Sequence, residues 1–328
     1  MIRQLKISIV LVLLMLPLIL AAQDIHFSQF FRTPSTLNPA LNGVFDGGYR
    51  VMGIYRTQWG SISKPFETIN LAGDANSFMN VRNLGVGANM FYDRAGDGNL
   101  GTFNLNISAS YSFHFGSLRN HSIAPGLQFG LMSRQLDRDQ LKFEQNGAVN
   151  DQSLNANRSY FTLNGGFLYR YQPKRGNELK IGVSWHNINQ PDVGFYNEDE
   201  LLYVRTNYHA TYRFEITTKW SLEPGMLYRH QSSNKEWLAG LNGIYILENS
   251  SMEYTALHAG VWTRVEDAAF IFLGVDWQKL SIGLSYDFNI SGLSAVTQNR
   301  GGFEISVMYI FDRGLPKRKF YKTCPEYL

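Results

Sequence analysis

Residues 102–115 read Thr102-Phe103-Asn104-Leu105-Asn106-Ile107-Ser108-Ala109-Ser110-Tyr111-Ser112-Phe113-His114-Phe115. Every second residue from Phe103 to Phe115 is apolar or aromatic, and each residue between them is Asn, Ser or His. A side-chain period of two puts the two sets on opposite faces of a β-strand. The run is much longer than the usual globular strand of about 5–6 residues. It suits a tilted strand crossing a membrane, which needs roughly 9–11 residues plus extensions. Residues 280–290 repeat the pattern, with Leu280, Ile282, Leu284, Tyr286, Phe288 and Ile290 set against Ser281, Gly283, Ser285, Asp287 and Asn289. In 203–215, Val204, Thr206, Tyr208, Ala210, Tyr212 and Phe214 oppose Arg205, Asn207, His209, Thr211, Arg213 and Glu215.

Extending this reading along the chain predicts fourteen strands: 49–59, 65–77, 83–92, 101–115, 121–134, 158–171, 177–187, 202–216, 219–231, 236–247, 252–263, 268–277, 279–290 and 301–311. The alternation breaks near Asn70, and 252–263 mixes its faces. The connections sort by length. Those centred on 78–82, 116–120, 172–176, 217–218, 248–251 and 278 are short, whereas 93–100, 135–157, 188–201 and 291–300 fall on the alternate set. Outer-membrane barrels have an even strand count, short periplasmic turns and longer external loops. The sorting therefore places both chain ends in the periplasm.

Composition agrees. Aromatic residues make up 14% of the chain and charged residues only 17%, below the globular norm of about 25%. Aromatics gather near strand ends, at Trp59, Phe91-Tyr92, Phe113–Phe115, Tyr169–Tyr171, Trp185, Trp220, Trp237, Trp277 and Tyr309–Phe311, as in an interfacial girdle. A soluble β-sandwich array also buries aromatics, but so many long, charge-poor apolar faces favour the membrane. A closed sheet also leaves no edge to protect. The single cysteine, Cys324, does not suit a disulfide-stapled module.

Residues 1–22 carry Arg3 and Lys6, an apolar run from Ile7 to Leu20, and Ala21-Ala22 before the polar Gln23-Asp24. This is the pattern of a secretory signal peptide. The expected organisation is then a signal peptide over 1–22 and an irregular N-terminal segment over 23–48. An all-β transmembrane antiparallel up-and-down β-barrel of about 14 strands follows over 49–311, with a periplasmic tail over 312–328. Phe27, Phe30 and Phe31, with the turn at Asn38-Pro39, make 23–48 too apolar for a free tail, and we expect it to pack at the periplasmic mouth as a plug.

The near balance of charge, +3 at neutral pH, gives no reason to expect nucleic-acid binding. No nucleophile elbow, metal-spaced His/Glu helix or Gly-rich phosphate loop is present, so neither catalysis nor a cofactor is expected. A lumenal His beside Ser and Asn is the one arrangement that could resemble a lipase-type site. Asp93-Arg94-Ala95-Gly96-Asp97-Gly98-Asn99 lacks the spacing and terminal Glu of a calcium loop and reads as a tight hairpin. Arg56, Arg170, Arg205, Arg213, Glu215, Glu223, Arg229 and Glu304 fall on inward positions. They either line a conducting pore or pair across the lumen and hold a plug. Lys317-Arg318-Lys319 either dock on an acidic partner or lipid surface, or simply solvate the tail.

Further motifs carry a resemblance. His26-Phe27-Ser28-Gln29-Phe30 precedes Leu37-Asn38-Pro39-Ala40 with Gly43 nearby, and then Tyr55-Arg56-Thr57-Gln58-Trp59. Near the other end stand Ser285-Tyr286-Asp287-Phe288-Asn289, Arg300-Gly301-Gly302-Phe303-Glu304 and Cys324-Pro325. Together they resemble the PorP/SprF family of the type IX secretion system of Bacteroidota. The resemblance implies a non-enzymatic outer-membrane component that supports secretion or surface anchoring of a cognate protein, often a gliding adhesin. Its partners would be outer-membrane lipid, the secreted cargo and periplasmic secretion components. The alternative reading is a substrate-specific outer-membrane porin or transporter.

Overall fold

The computed structural model describes residues 27–58, 65–96, 99–136, 142–143, 147–148, 157–174, 176–195, 200–249, 253–290 and 300–312. Fourteen antiparallel strands form a closed barrel. They are β1 (Tyr49–Gln58), β2 (Phe66–Asn76), β3 (Leu84–Ala95), β4 (Leu100–Tyr111), β5 (His121–Gln135), β6 (Asn157–Lys174), β7 (Asn177–His186), β8 (Arg205–Glu215), β9 (Trp220–Gln231), β10 (Asn234–Asn249), β11 (Tyr254–Arg264), β12 (Ala268–Trp277), β13 (Leu280–Asn289) and β14 (Arg300–Phe311). Each strand pairs with the next in sequence. β1 closes the sheet on β14, from Tyr49 opposite Phe311 to Gln58 opposite Gly302. Closure satisfies the backbone of every strand without water, which hydrocarbon cannot supply.

Burial runs opposite to that of a soluble protein. In β4, Thr102, Asn104, Asn106, Ser108 and Ser110 are buried while Phe103, Leu105 and Ile107 face outward, Ile107 at 62% exposure. The same inversion holds in β13, where Ser285 and Asp287 are buried and Leu284, Tyr286 and Phe288 are exposed. Water around such an apolar belt would reverse the hydrophobic driving force; lipid around it does not. Among the described residues, no helix is long and apolar enough to cross a membrane, and the strands make the crossing.

The structure refines several segments. The long run at 101–115 ends at Tyr111 and resumes as Phe113–Phe115. The break falls at Ser112, whose amide donates to Asn83 O in the neighbouring turn. β3 and β4 extend to Ala95 and from Leu100, so the hairpin expected at 93–100 shortens to a turn with left-handed Gly96 (φ 62°) and Asn99 (φ 48°). Its Asp93 is a buried strand residue, bonded by the Thr68 hydroxyl at 2.6 Å, and not a loop ligand. The segment read at 202–216 starts only at Arg205, because the Leu202 amide donates to Pro191 O within the connecting loop. Asn70 keeps the alternation: it is buried and accepts from Asn89 at 3.0 Å. Phe91 lines an internal cavity and is not part of the outer girdle, to which Tyr92, Trp220, Trp237 and Trp277 contribute exposed rings.

The face-mixing of 252–263 also has a cause. Trp262 points inward with Phe270, Leu227, Leu238, Ala124 and Leu168, and joins Phe30, Leu37, Ala40 and Leu41 in one buried cluster. This apolar core is therefore shared between the barrel wall and the N-terminal segment.

An arginine on the lipid side of a spanning strand costs about 2–4 kcal/mol at the bilayer midplane. We expect Ile107→Arg to destabilise by that order in urea unfolding from lipid vesicles, while Ile107→Val stays close to wild type.

Candidate functional site

The candidate site is the lumen. Residues 27–48 run through it as three short helical turns, Phe30–Arg32, Pro34–Leu37 and Pro39–Leu41. Pro34 and Pro39 open the second and third turns, where a fixed φ helps and a missing N–H costs nothing. Asn38 caps the third by accepting from Ala40 N at 2.9 Å.

At its first described residues the segment is held by charge. Both oxygens of Glu304 accept backbone amides, Ser28 N at 2.7 Å and Gln29 N at 2.9 Å. Arg56 pairs with Glu304 and lies 3.2 Å from Asp287. The Ser28 hydroxyl donates to Asp287 at 2.7 Å and accepts from Arg56 at 2.8 Å and Arg264 at 2.9 Å. Arg264 also reaches Asp267 at 3.0 Å and Glu236 at 3.4 Å. Gln29 bonds Ser285 and Ser306. Arg56 and Glu304 are 1% and 0% exposed. A charge at that depth is costly unless it is paired, and here each carboxylate meets a guanidinium.

The middle of the segment is held by packing. Phe31 stacks on Trp262 with centroids 5.2 Å apart and meets Phe272 edge-on at 5.1 Å, while Phe30 meets Trp262 edge-on at 5.2 Å. Arg32 bonds Ser281 at 2.8 Å and Ser306 at 3.2 Å.

Asn38-Pro39-Ala40-Leu41-Asn42-Gly43 lies directly on the wall. The Asn38 amide lies 3.1 Å from Phe167 O, 3.2 Å from Val183 O and 3.1 Å from His209 Nε2. Asn42 bonds Ser108 at 2.8 Å and its carbonyl accepts from Ser110 at 2.7 Å. Contact this close needs wall positions without side chains. A Cβ on Gly126 would fall on the backbone of Pro39 and Ala40, and one on Gly166 would fall on the Asn38 side chain. The segment leaves through Gly43 N, which donates to Asp74 at 2.7 Å, and Asp74 is held in turn by both nitrogens of an Arg50 fork at 2.9 and 2.8 Å. It then joins β1.

Phe27, Phe30, Phe31, Asn38 and Pro39 thus all lie inside the barrel, and the segment reaches well beyond a mouth, from Gly43 near the start of β1 to Phe27 beside a cavity near its end. Of the inward charges, Arg56 and Glu304 come together, and Arg213 pairs with Glu223 at 2.8 Å in a separate, more exposed group. Arg205 lines the cavity. Lys317, Arg318 and Lys319 lie outside the described residues. The Ser–His pair of the lumen is spent on structure: the Ser184 hydroxyl, 3.3 Å from His186 Nε2, donates to Leu37 O at 2.6 Å beneath the segment. Arg264, Asp287, Ser28 and Trp262 were not singled out as site residues from sequence. Asp287 and Ser28 stand within the quoted motifs; Trp262 and Arg264 carry no local signal beyond the mixed faces of 252–263.

Comparison with known proteins gives three results. A family model described as "Type IX secretion system membrane protein PorP/SprF" matches residues 19–309. Comparison with curated protein sequences gave no match. Among solved structures, the toluene transporter TbuX of Ralstonia pickettii superposes with a TM-score of 0.52 at 10% identity, covering 85% of this chain and 94% of its own. The monoaromatic hydrocarbon channel CymD gives 0.48 at 11%, covering 86% and 93%. The Pseudomonas putida toluene transporter TodX gives 0.46 at 9%, covering 84% and 93%. At these identities the likeness is one of fold alone.

Breaking a buried ion pair by removing one partner costs about 3–5 kcal/mol. Glu304→Ala should lower unfolding stability by that order and unpin the Ser28 and Gln29 amides, read as loss of their hydrogen-exchange protection. Gly126→Val should cost at least the roughly 1–3 kcal/mol of an overpacked core, measured by heat-modifiable gel mobility and urea unfolding.

Proposed function

We propose that this chain, which belongs to the PorP/SprF family of type IX secretion system membrane proteins, works as a closed outer-membrane dock rather than a conduit. In this reading it supports secretion or surface anchoring of a cognate protein, such as a gliding adhesin, and contacts periplasmic machinery. The observation that supports it is the lumen threaded by the chain's own residues 27–48, fixed at Glu304, Trp262, Gly126 and Asp74. A segment held by buried ion pairs, an aromatic stack and backbone contact is unsuited to yielding a pore for each passing solute.

The same reading assigns roles to the ends. The end where β1 begins, with its short turns, faces the periplasm, and the tail over 312–328 with Lys317, Arg318 and Lys319 meets the periplasmic components. The end carrying the long connections 136–156, 187–204 and 290–299 faces outward and receives the secreted partner. One of these loops is braced: Asp192 pairs with Arg158 at 3.0 Å, and the backbone amides of Gly194 and Glu200 hold its carboxyl below the usual carboxylate range. Residues 1–22 act as the signal peptide that brings the chain to this membrane.

The test is affinity purification from outer membranes followed by mass spectrometry, together with gene deletion. A dock brings down one secreted protein and periplasmic secretion components, and its deletion removes that protein from the cell surface. Unchanged secretion and display of every cargo in the deletion strain would overturn the proposal, and a solute-uptake defect alone would favour the porin reading.

A further inference from the structure

The N-terminal segment does not fill the whole lumen. A cavity of about 350 Å³ remains beside it, toward the end that carries the long connections, with Phe27 and Thr36 of the segment on its inner side. That volume sits near the lower limit of small-ligand pockets, about 300–1,000 Å³. Strand register orders the wall into tiers. The deep tier runs Asn89, Asn106, Gly130, Thr162 across β3 to β6. The next tier outward runs Phe91, Asn104, Met132, Tyr160.

The deep tier holds two buried oxygens that are left unbonded. Asn106 Oδ1 and Thr162 Oγ1 are buried, at residues 6% and 3% exposed, and neither atom has a hydrogen-bond partner among the described residues. Buried polar atoms in native structures are almost always satisfied. Gly130 stands between them, and a Cβ there would fall on both oxygens. Three residues from three adjacent strands thus form a notch. The nitrogen of the Asn106 amide is already used, donating to Asn104 and, at 3.0 Å, to Asn89, which leaves its oxygen as an acceptor. The Thr162 hydroxyl can donate or accept.

A ligand group that serves both must donate to Asn106 Oδ1 and can either accept from or donate to the Thr162 hydroxyl. A hydroxyl does both through a single oxygen, a peptide N–H only donates and a carbonyl only accepts. The tier above offers the Phe91 and Tyr160 rings and the Met132 thioether, whose sulfur accepts the Tyr160 hydroxyl at 2.7 Å. Neither tier holds a charged side chain, while Asp93, Arg134 and Arg205 line the same cavity farther out. Hydroxyls at the edge, C–H groups on the faces and no net charge describe a sugar ring. We propose that this cavity binds a neutral saccharide unit, with one hydroxyl seated between Asn106 and Thr162 over Gly130. The inference is independent of the docking role.

The test uses the full-length barrel in a detergent without a sugar headgroup, titrated calorimetrically with maltotriose, cellotriose and chitotriose, and with a capped Gly-Ser-Gly tripeptide. At least one trisaccharide should bind. Thr162→Val, which keeps the side-chain shape, and Gly130→Ala should each weaken it at least tenfold, with heat-modifiable mobility retained in Thr162→Val. No binding by any of the three sugars would overturn the proposal, since a bridging water would then suffice for the notch. Sugar binding unchanged in Thr162→Val would overturn it as well, and competition by the tripeptide at the same site would assign the cavity to a polypeptide segment instead.

Discussion

One buried ion cluster ties the molecule together. Glu304 and Asp287 sit on neighbouring strands β14 and β13, Arg56 on β1 and Arg264 on β11, and all four converge on Ser28 and Gln29 of a segment that lies outside the sheet. Each charge would be prohibitive alone at that depth. Together they balance one another's charge and take up two backbone amides that would otherwise be orphaned inside the barrel, although Arg56 Nε, Arg264 Nε and Asp287 Oδ1 have no hydrogen-bond partner among the described residues. The cluster also lies beside the β1–β14 seam, so the same residues that fix the segment brace the strand pair that closes the sheet.

The rest follows from that anchor. Once Ser28 and Gln29 are fixed, Phe30 and Phe31 are delivered to Trp262 and Phe272, and the turn at Asn38-Pro39 is set against wall glycines that leave room for backbone contact. A fourteen-strand wall cannot fill its own interior with side chains as an eight-strand barrel can. The N-terminal segment supplies the missing core. That explains why a chain whose lipid face is apolar also carries apolar residues on several inward positions.

The fold was legible because a membrane barrel writes its geometry into a two-residue period. Phe103 to Phe115 and Leu280 to Ile290 could belong only to long half-polar strands, and the sorting of connection lengths fixed the strand count. Register-level detail was less legible. Trp262 and Phe272 look like misplaced lipid-facing residues until the segment they pack against is known, which is why 252–263 seemed to mix faces. Phe91 near a strand end is indistinguishable in sequence from a girdle residue. The break at Ser112 depends on a hydrogen bond that its amide donates to a neighbouring turn. The quoted motifs around Ser28, Arg56, Asp287 and Glu304 were visible as patterns, but their meeting in one cluster spans residues up to 276 apart and needed three dimensions.

The central claim is that the chain closes its own lumen, and single-channel recording in planar bilayers tests it most directly. The wild-type barrel should insert without steady conductance of porin size at moderate voltage. Stable, large, ohmic openings from the wild-type protein, with residues 27–48 intact, would contradict it.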